Sequence, residues 1–455
     1  MEANRYGNCV VLGLLRGDEG KGKIVDYLAQ NYHIVCRFQG GPNAGHTIYV
    51  NDKKIILNQT ACVNDKKIVL HQIPSGILSG KICVIGHGCV VDPVKLLKEL
   101  FQLQMEFSGN NFKDLLKVAK NCHVIYPAHI AADVARENSG KGNGSTKCGI
   151  SQCYGDKYLR TGKRLCDLFD MSFTKEQQTK VQTDFGITEE GYKILCNLLI
   201  DDSYFFNYEH SKSTVLFEGA QGVFLDIDNP VYPNVSSSHV NIGGVIAGTG
   251  ISFNRMRDCN IIGVVKSYMS SVGEGEFLTE IKDETTLQFK GKSYTFTAED
   301  LRSVGNEYGA TTGRPRKVGF LDLVMVKSAC DSIGVTELCL TRLDTLTQAF
   351  SKQGIIPVCI GYAKKDSDII IPETEISWYD LSDYRPVYNC FEMWTEPSLQ
   401  NENFIKFINY IEKFTGVNVS LISTGKGKND IMHTCATLTV PIKDDTVKSF
   451  YGSTN

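Results

Sequence analysis

The sequence predicts an α/β fold built on a large, mostly parallel central sheet flanked by helices. Three observations carry that reading. Short apolar runs of strand length recur along the chain, longer helical patterns separate them, and a glycine-rich turn follows the first run directly. Runs that are apolar throughout, instead of alternating, belong to strands buried on both faces, as in a parallel sheet covered by helices on each side.

Cys9-Val10-Val11-Leu12 reads as the first strand and Ile24-Val25-Asp26-Tyr27-Leu28 as the body of the first helix. Residues 34–38 form the second strand, and 215–217, 261–265, 337–340, 357–360 and 419–422 are later ones. No linker or low-complexity segment interrupts the 455 residues, so residues 1–455 are read as a single large domain. A seven-residue stretch beginning at Asn51 recurs from Asn64, which reads as a small duplication extending a surface hairpin, far too short for a solenoid unit.

With 42% hydrophobic and 22% charged residues and a net charge of −3, the chain lacks the basic footprint of a nucleic-acid or anionic-membrane binder. No apolar run approaches the roughly 18 residues of a membrane span. The polar residues 1–8 lead straight into a strand, so no signal peptide and a cytoplasmic location are expected. Sixteen cysteines are scattered singly without a CxxC pair, the pattern of reduced thiols acting as small core hydrophobes.

Two motifs carry the chemistry. Gly17-Asp18-Glu19-Gly20-Lys21-Gly22-Lys23 follows a strand and opens a helix. Glycines there turn backbone N–H groups inward and the helix N-terminus adds partial positive charge, which makes an anion cradle. The spacing is not that of a strict P-loop: Gly22 stands where Ser or Thr would hold magnesium, which leaves Asp18 as the hard-oxygen ligand. The second motif, residues 39–47, places Asn43, Ala44, Gly45, His46 and Thr47 in a turn of small and polar residues after another strand.

Together these motifs resemble the two N-terminal signatures of the adenylosuccinate synthetase family. The resemblance continues in order through 73–76, 218–222, 225–228, 309–316, 341–344 and 422–425, and spans residues 9 to 435. It implies a P-loop-NTPase-like fold with peripheral insertions. The implied reaction has two steps: GTP phosphorylates the 6-oxygen of IMP, and the amino group of L-aspartate then displaces the phosphate. Asp18 is implied as the base at purine N1 and a ligand of one Mg²⁺, with Gly45 as a second metal contact. His46 is implied as general acid, and Lys21 and Gln221 complete the catalytic set. The loop 17–23, Gly45, His46 and Thr47 would hold GTP, with Arg316, Arg342, Leu343, Asp344, Ser423, Thr424 and Gly425. Asp344 would accept from guanine N1–H and the 2-amino group, a donor pair that adenine lacks.

IMP binding is implied for Asp18, Lys21, Asn43, Ala44, Gly45, His46, Thr146, Arg160, Gln221, Ser236 and Arg314. Residues Ala310, Thr311, Thr312, Gly313, Arg314, Pro315 and Arg316 match the aspartate loop, and the arginine matching Arg160 reaches across a two-fold, which implies a homodimer. The chain departs from the family at Leu15-Arg16, His87, Lys147-Cys148, Ser151-Gln152, Ser236 and Arg342. Two other readings stay open at this point: a ligase joining aspartate to another 6-oxopurine nucleotide such as a guanylate, and a non-catalytic GTP-binding switch.

Overall fold

The computed structural model describes residues 7–434 except 57–58, 108–109, 141, 143, 272–274, 309–312 and 314, and it leaves out the side chains of residues 49–65. The chain divides into two compact units, 1–264 with 426–429 and 265–425 with 430–455. The boundary falls inside a strand, Asn260–Lys266, where neither composition nor turn residues mark a break.

The first unit is built on a parallel sheet. β1 (Cys9–Gly13) is fully buried and pairs in parallel with Asn260–Lys266 on one side and Val215–Gly222 on the other. Beyond Val215–Gly222 come β2 (Ile34–Arg37), Ile82–Ile85, Leu116–Ala119 and Leu199–Ile200, each parallel to its neighbour. Every backbone group of β1 has a strand beside it, so only an apolar, uncharged run can occupy that position. The pairing slips between Val11 and Gly13, which brings Gly13 opposite Gly222. That slip matters at the site, because both glycines are needed there. The first helix, α1 (Lys21–Ala29), follows β1 and packs Ile24, Val25 and Leu28 into the core.

The predicted hairpin is present. His46–Ile56 and Gln59–Leu70 pair antiparallel, with Asn51 opposite Asp65, so the two copies of the duplicated stretch lie in opposite strands.

The second unit holds a parallel pair, Glu337–Thr341 and Val419–Ser423, with Ile431–His433 antiparallel to the latter. One predicted strand behaves differently from its reading. Residues 357–360 lie in Ile355–Lys364, which joins a separate three-stranded sheet, antiparallel to Tyr384–Glu392 and parallel only to Leu321–Asp322. A strand buried on both faces has the same apolar signature whichever way its partner runs, so its sequence does not tell the two arrangements apart.

All described cysteines are free, and nine of them are buried. Burial pushes the thiols of Cys36, Cys83 and Cys122 well up, which makes them poor nucleophiles. Among the described residues no helix is long and apolar enough to cross a membrane.

Candidate active site

In the first unit the site grows from the C-terminal ends of β1, β2 and Val215–Gly222, where ligands of parallel sheets gather. Between β1 and α1 the backbone turns through three left-handed residues: Gly17 (φ 85°), Asp18 (φ 61°) and Gly20 (φ 86°). This conformation costs a residue with a Cβ about 1–2 kcal/mol, so an aspartate held in it points to function. Asp18 is exposed, and α1 follows Gly20, which has no side chain to cap it. The result is a cradle of N–H groups with a carboxylate on its rim.

Glu19 turns the other way. Its carboxylate accepts from the amides of Leu15 (3.2 Å) and Gly17 (2.8 Å) and binds the Lys21 ammonium at 2.6 Å. A Cβ at Gly13 would lie 2.2 Å from Glu19 Oε2, and one at Gly222 would lie 2.6 Å from Oε1. The slipped pairing of these two glycines thus makes the space the carboxylate occupies. Lys23 is half-buried on α1.

The second turn is fixed from several sides. Gln39 Nε2 donates to Ala220 O at 2.6 Å, Gly40 N donates to the Tyr154 hydroxyl at 3.1 Å, and that hydroxyl donates to Gly88 O at 2.7 Å. Ala44 O accepts from His71 Nδ1 at 2.7 Å. Gly45 is exposed, Thr47 and Asn43 are half-buried, and Asn43 Oδ1 is shut off from solvent without a partner among the described residues.

His46 is buried, and Nδ1 bonds the Glu218 carboxylate. Glu218 is fully buried and also accepts from Ser75 N at 2.7 Å and Ser75 Oγ at 2.8 Å. Burial lowers the proton affinity of His46 and outweighs the opposing pull of Glu218. Burial alone would raise the Glu218 carboxyl, but His46, Arg37 and the Ser75 amide outweigh it and hold it below the usual range. α1 closes on this histidine: a Cβ at Gly22 would lie 2.7 Å from His46 Cβ.

Gln221 also sits left-handed (φ 57°), and its Oε1 is buried with no partner among the described residues. A side chain at Gly40 would come within 3.3 Å of that oxygen, and one at Gly17 within 3.7 Å of Gln221 Cα. The phosphate-type loop, the His46 turn and Gln221 therefore share one place. Ser236 belongs to it as well, since its N–H donates to Leu225 O at 2.8 Å and Leu225 lies against Gly17.

Thr146 is exposed on a loop that Asp133 holds through Ser145 Oγ and Gly149 N, both at 2.9 Å. Cys148 ties that loop to the second turn, with its thiol 3.5 Å from Thr146 O and 4.0 Å from Pro42 O. Arg160 is not gathered in. It caps the far end of the helix Ile150–Leu159, exposed and left-handed (φ 64°). His87 is tied into the structure by both ring nitrogens, with Nδ1 on Asp202 at 2.8 Å and Nε2 on Ala247 O at 3.0 Å.

In the second unit Arg342 is left-handed (φ 64°) at the start of the helix Leu343–Ala349, with no side-chain cap. Leu343 is buried, and Asp344 Oδ1 is shut from solvent with no partner among the described residues. Ser423 Oγ reaches Gly425 O at 3.4 Å, and Thr424 N donates to Asp430 O at 3.0 Å. Ala310, Thr311, Thr312 and Arg314 lie outside the described residues. Gly313 is exposed, Pro315 pairs with Tyr308, and Arg316 bonds Glu307 Oε2 at 3.0 Å, while Lys266 holds Oε1 at 2.6 Å.

Glu218, Ser75, Arg37 and Glu307 escape a reading by motif roles. One signal for Glu218 was available: a carboxylate closing an apolar strand run, Val215-Leu216-Phe217-Glu218, needs a buried partner.

The adenylosuccinate synthetase family model matches residues 10–432. An adenylosuccinate synthetase of Thermodesulfovibrio yellowstonii is 38% identical over 456 residues, covering 93% of this chain and 98% of the relative. One from Caldanaerobacter subterraneus is 39% identical over 453 residues, covering 92% and 97%. The solved structure of fully ligated adenylosuccinate synthetase from Plasmodium falciparum superposes with a TM-score of 0.77 at 32% identity, over 94% of this chain and 100% of that one. A cyanophage S-2L succinoaminodeoxyadenylate synthetase, solved with dGMP and dATP, shares the fold at a TM-score of 0.59 and 19% identity, over 94% and 96%.

Proposed function

The chain belongs to the adenylosuccinate synthetase family, and from that premise we propose that it joins L-aspartate to IMP using GTP, releasing adenylosuccinate, GDP and phosphate. This is the first committed step from IMP to AMP. One observation carries the reading. A left-handed Asp18, a histidine seated on a buried carboxylate and a glutamine with an orphaned amide oxygen converge in the first unit.

The 6-oxygen of a 6-oxopurine becomes a nucleophile only when N1 loses its proton. Asp18, exposed on the rim of the cradle, is the group to take it. The oxygen then attacks the γ-phosphorus of GTP and GDP leaves, giving 6-phosphoryl-IMP. His46 donates a hydrogen bond to the oxygen that gathers charge, a contribution worth about 10²–10⁴ in rate for a well-placed acid or base. Gln221 pairs its free amide with the purine edge. Its buried oxygen needs a donor, and a ligand supplies one. In the second step the aspartate amine attacks C6 and phosphate departs.

An exposed carboxylate in a turn of inward N–H groups suits a hard cation beside phosphates. Asp18 and the main chain of Gly45, also exposed, would hold Mg²⁺. The ion would neutralise charge on the transferring phosphoryl group, since such transfer is mostly positioning and charge stabilisation. Thr146, Ser236 and Asn43 supply hydroxyl and amide contacts for the nucleotide, with Arg160 from the partner subunit of a homodimer. The loop 310–316 takes the two carboxylates of aspartate, and Asp344 reads guanine.

The test is turnover with GTP, Mg²⁺, aspartate and a panel of acceptors. GDP release that requires both IMP and aspartate, with adenylosuccinate as product, is expected. Turnover with GMP in place of IMP would move the acceptor to a guanylate, and slow hydrolysis indifferent to both substrates would make the protein a switch.

A further inference from the structure

We propose that Glu307 is a positioning residue of the reaction: it holds the Arg316 guanidinium in one orientation, ready to meet a carboxylate of the aspartate substrate. The inference rests on the proposed reaction, in which Arg316 binds aspartate, and gives a role to a side chain outside its contact set.

Three donors in the second unit converge on the fully buried carboxylate of Glu307. Lys266 Nζ and the Tyr268 hydroxyl each lie 2.6 Å from Oε1, and Arg316 Nη1 lies 3.0 Å from Oε2. The two cations differ in where they stand. The Lys266 side chain is 2% exposed and that of Arg316 is 13% exposed. Lys266 balances Glu307 from the inside, with its ammonium also donating to Ser270 Oγ at 2.8 Å and standing 4.7 Å over the Tyr268 ring. One anion between two cations leaves a surplus positive charge, and Arg316 is the member that brings it to the surface.

The main chain fixes the same arginine. Glu307 O accepts from Arg316 N at 2.9 Å, Arg302 Nε donates to Arg316 O at 2.9 Å, and Tyr308 pairs with Pro315. Arg316 leads into the strand Lys317–Gly319, which runs antiparallel to Met269–Ser271 directly after Tyr268. A Cβ at Gly305 would lie 2.6 Å from the Tyr268 hydroxyl and 3.1 Å from Glu307 Cγ, so the cluster needs a glycine there. A guanidinium is planar, and a carboxylate held on one nitrogen sets the plane in which a second carboxylate is received. Buried ion clusters are often no better for stability than packed apolar residues. What this one supplies is direction: an arginine already fixed loses little rotamer freedom when the substrate arrives.

The experiment is initial-rate kinetics of the full chain with GTP, Mg²⁺, IMP and aspartate, comparing the wild type with Glu307→Gln and Glu307→Asp. Glutamine keeps the shape but removes the charge that holds Arg316. Its KM for aspartate should rise at least about tenfold, the worth of one hydrogen bond to a charged group. Its KM for IMP and its kcat at saturating aspartate should stay within about threefold of the wild type. Glu307→Asp keeps the charge with a shorter reach, and its KM for aspartate should rise only about threefold. A purely structural role would lower kcat through loss of folded enzyme and leave both KM values in place, which would overturn the proposal. A rise shared equally by IMP and aspartate would overturn it too. If the wild type forms no aspartate-dependent product, the proposed reaction fails and this role with it. If the wild type turns over and Glu307→Gln keeps the wild-type KM for aspartate, only the role of Glu307 fails. Should Glu307→Gln not fold, Glu307→Asp is combined with Arg316→Lys. Its threefold effect on the KM for aspartate should vanish on that background, because it acts through the arginine. An equal rise on both backgrounds would show that Glu307 does not work through Arg316.

Discussion

Glu19 and Lys21, two residues apart in the loop that opens α1, form an ion pair of 2.6 Å with side chains only 1% and 3% exposed. The same carboxylate holds the amides of Leu15 and Gly17, so one side chain fixes both the lysine and the backbone of the anion cradle. The slip that sets Gly13 against Gly222 provides the room. A strand irregularity thus becomes a requirement of the site.

Glu19→Gln should destabilise the protein by about 3–5 kcal/mol, the cost of leaving one member of a buried pair uncompensated. Chemical denaturation of the single variant and of Glu19→Gln/Lys21→Met checks this. The double variant should recover at least half of the lost stability. Purely additive losses would show that the two charges are not coupled.

Much of this architecture was legible because it is local. The strands at 9–12, 34–38 and 215–217 announce themselves as apolar runs, and the two glycine-rich turns stand directly after strands. What was not legible is long-range. Glu218 meets His46 across 172 residues and Ser75 across 143, separations at which no periodicity operates. The left-handed backbones of Asp18, Gln221 and Arg342 were equally hidden, because a residue with a Cβ is not expected there. The strand that takes 357–360 in the three-stranded sheet has the burial pattern of a parallel strand, so direction had to come from the pairing itself.

Asp322 gives a pH signature of stability in the second unit. It caps the helix Leu323–Ile333 and accepts from Tyr362 at 2.8 Å, but full burial pushes its carboxyl up to about 6. Because the folded value exceeds the unfolded one, near 3.8, its contribution is fully present below the unfolded value. It is lost as pH rises through about 6. Relative to Asp322→Asn, the wild type should therefore lose about 1 kcal/mol of stability between pH 5 and 7.5. Denaturation midpoints of both proteins at the two pH values measure it. A constant difference would place the carboxyl at its ordinary value in the folded protein.

Arg160 stands at the C-terminal end of the ten-residue helix Ile150–Leu159, exposed, while Ile150 at the start of that helix lies against Gly41. If it serves the site of a partner subunit, mixing inactive Asp18→Asn and Arg160→Leu proteins should restore activity. A heterodimer would carry one site with both defects and one with neither. Up to about a quarter of wild-type activity is expected for random exchange with one intact site per heterodimer. No recovery after demonstrated subunit exchange would mean that Arg160 acts in its own subunit or not at all.

If Asp344 reads the base as proposed, the choice of phosphate donor turns on it. Its Oδ1 is shut from solvent with no partner among the described residues, in the first turn of a helix that a left-handed Arg342 introduces. An acceptor left unpaired in that way costs about 1–3 kcal/mol, and more when charged. Guanine brings N1–H and a 2-amino group, two donors for one carboxylate. Adenine would set an unprotonated N1 against the charge. Recognition of this kind rejects the wrong ligand by up to about 10⁴–10⁵, so GTP should exceed ATP by at least about 10²-fold in kcat/KM. Asp344→Asn replaces one acceptor by a donor, which matches the 2-oxo group of xanthine. The variant should lose GTP use and gain relative use of xanthosine triphosphate, with its need for IMP and aspartate unchanged. Competition assays with the three nucleotides decide the point. A preference for GTP over xanthosine triphosphate that survives Asp344→Asn would show that some other group reads the base and that the orphaned oxygen has a different partner.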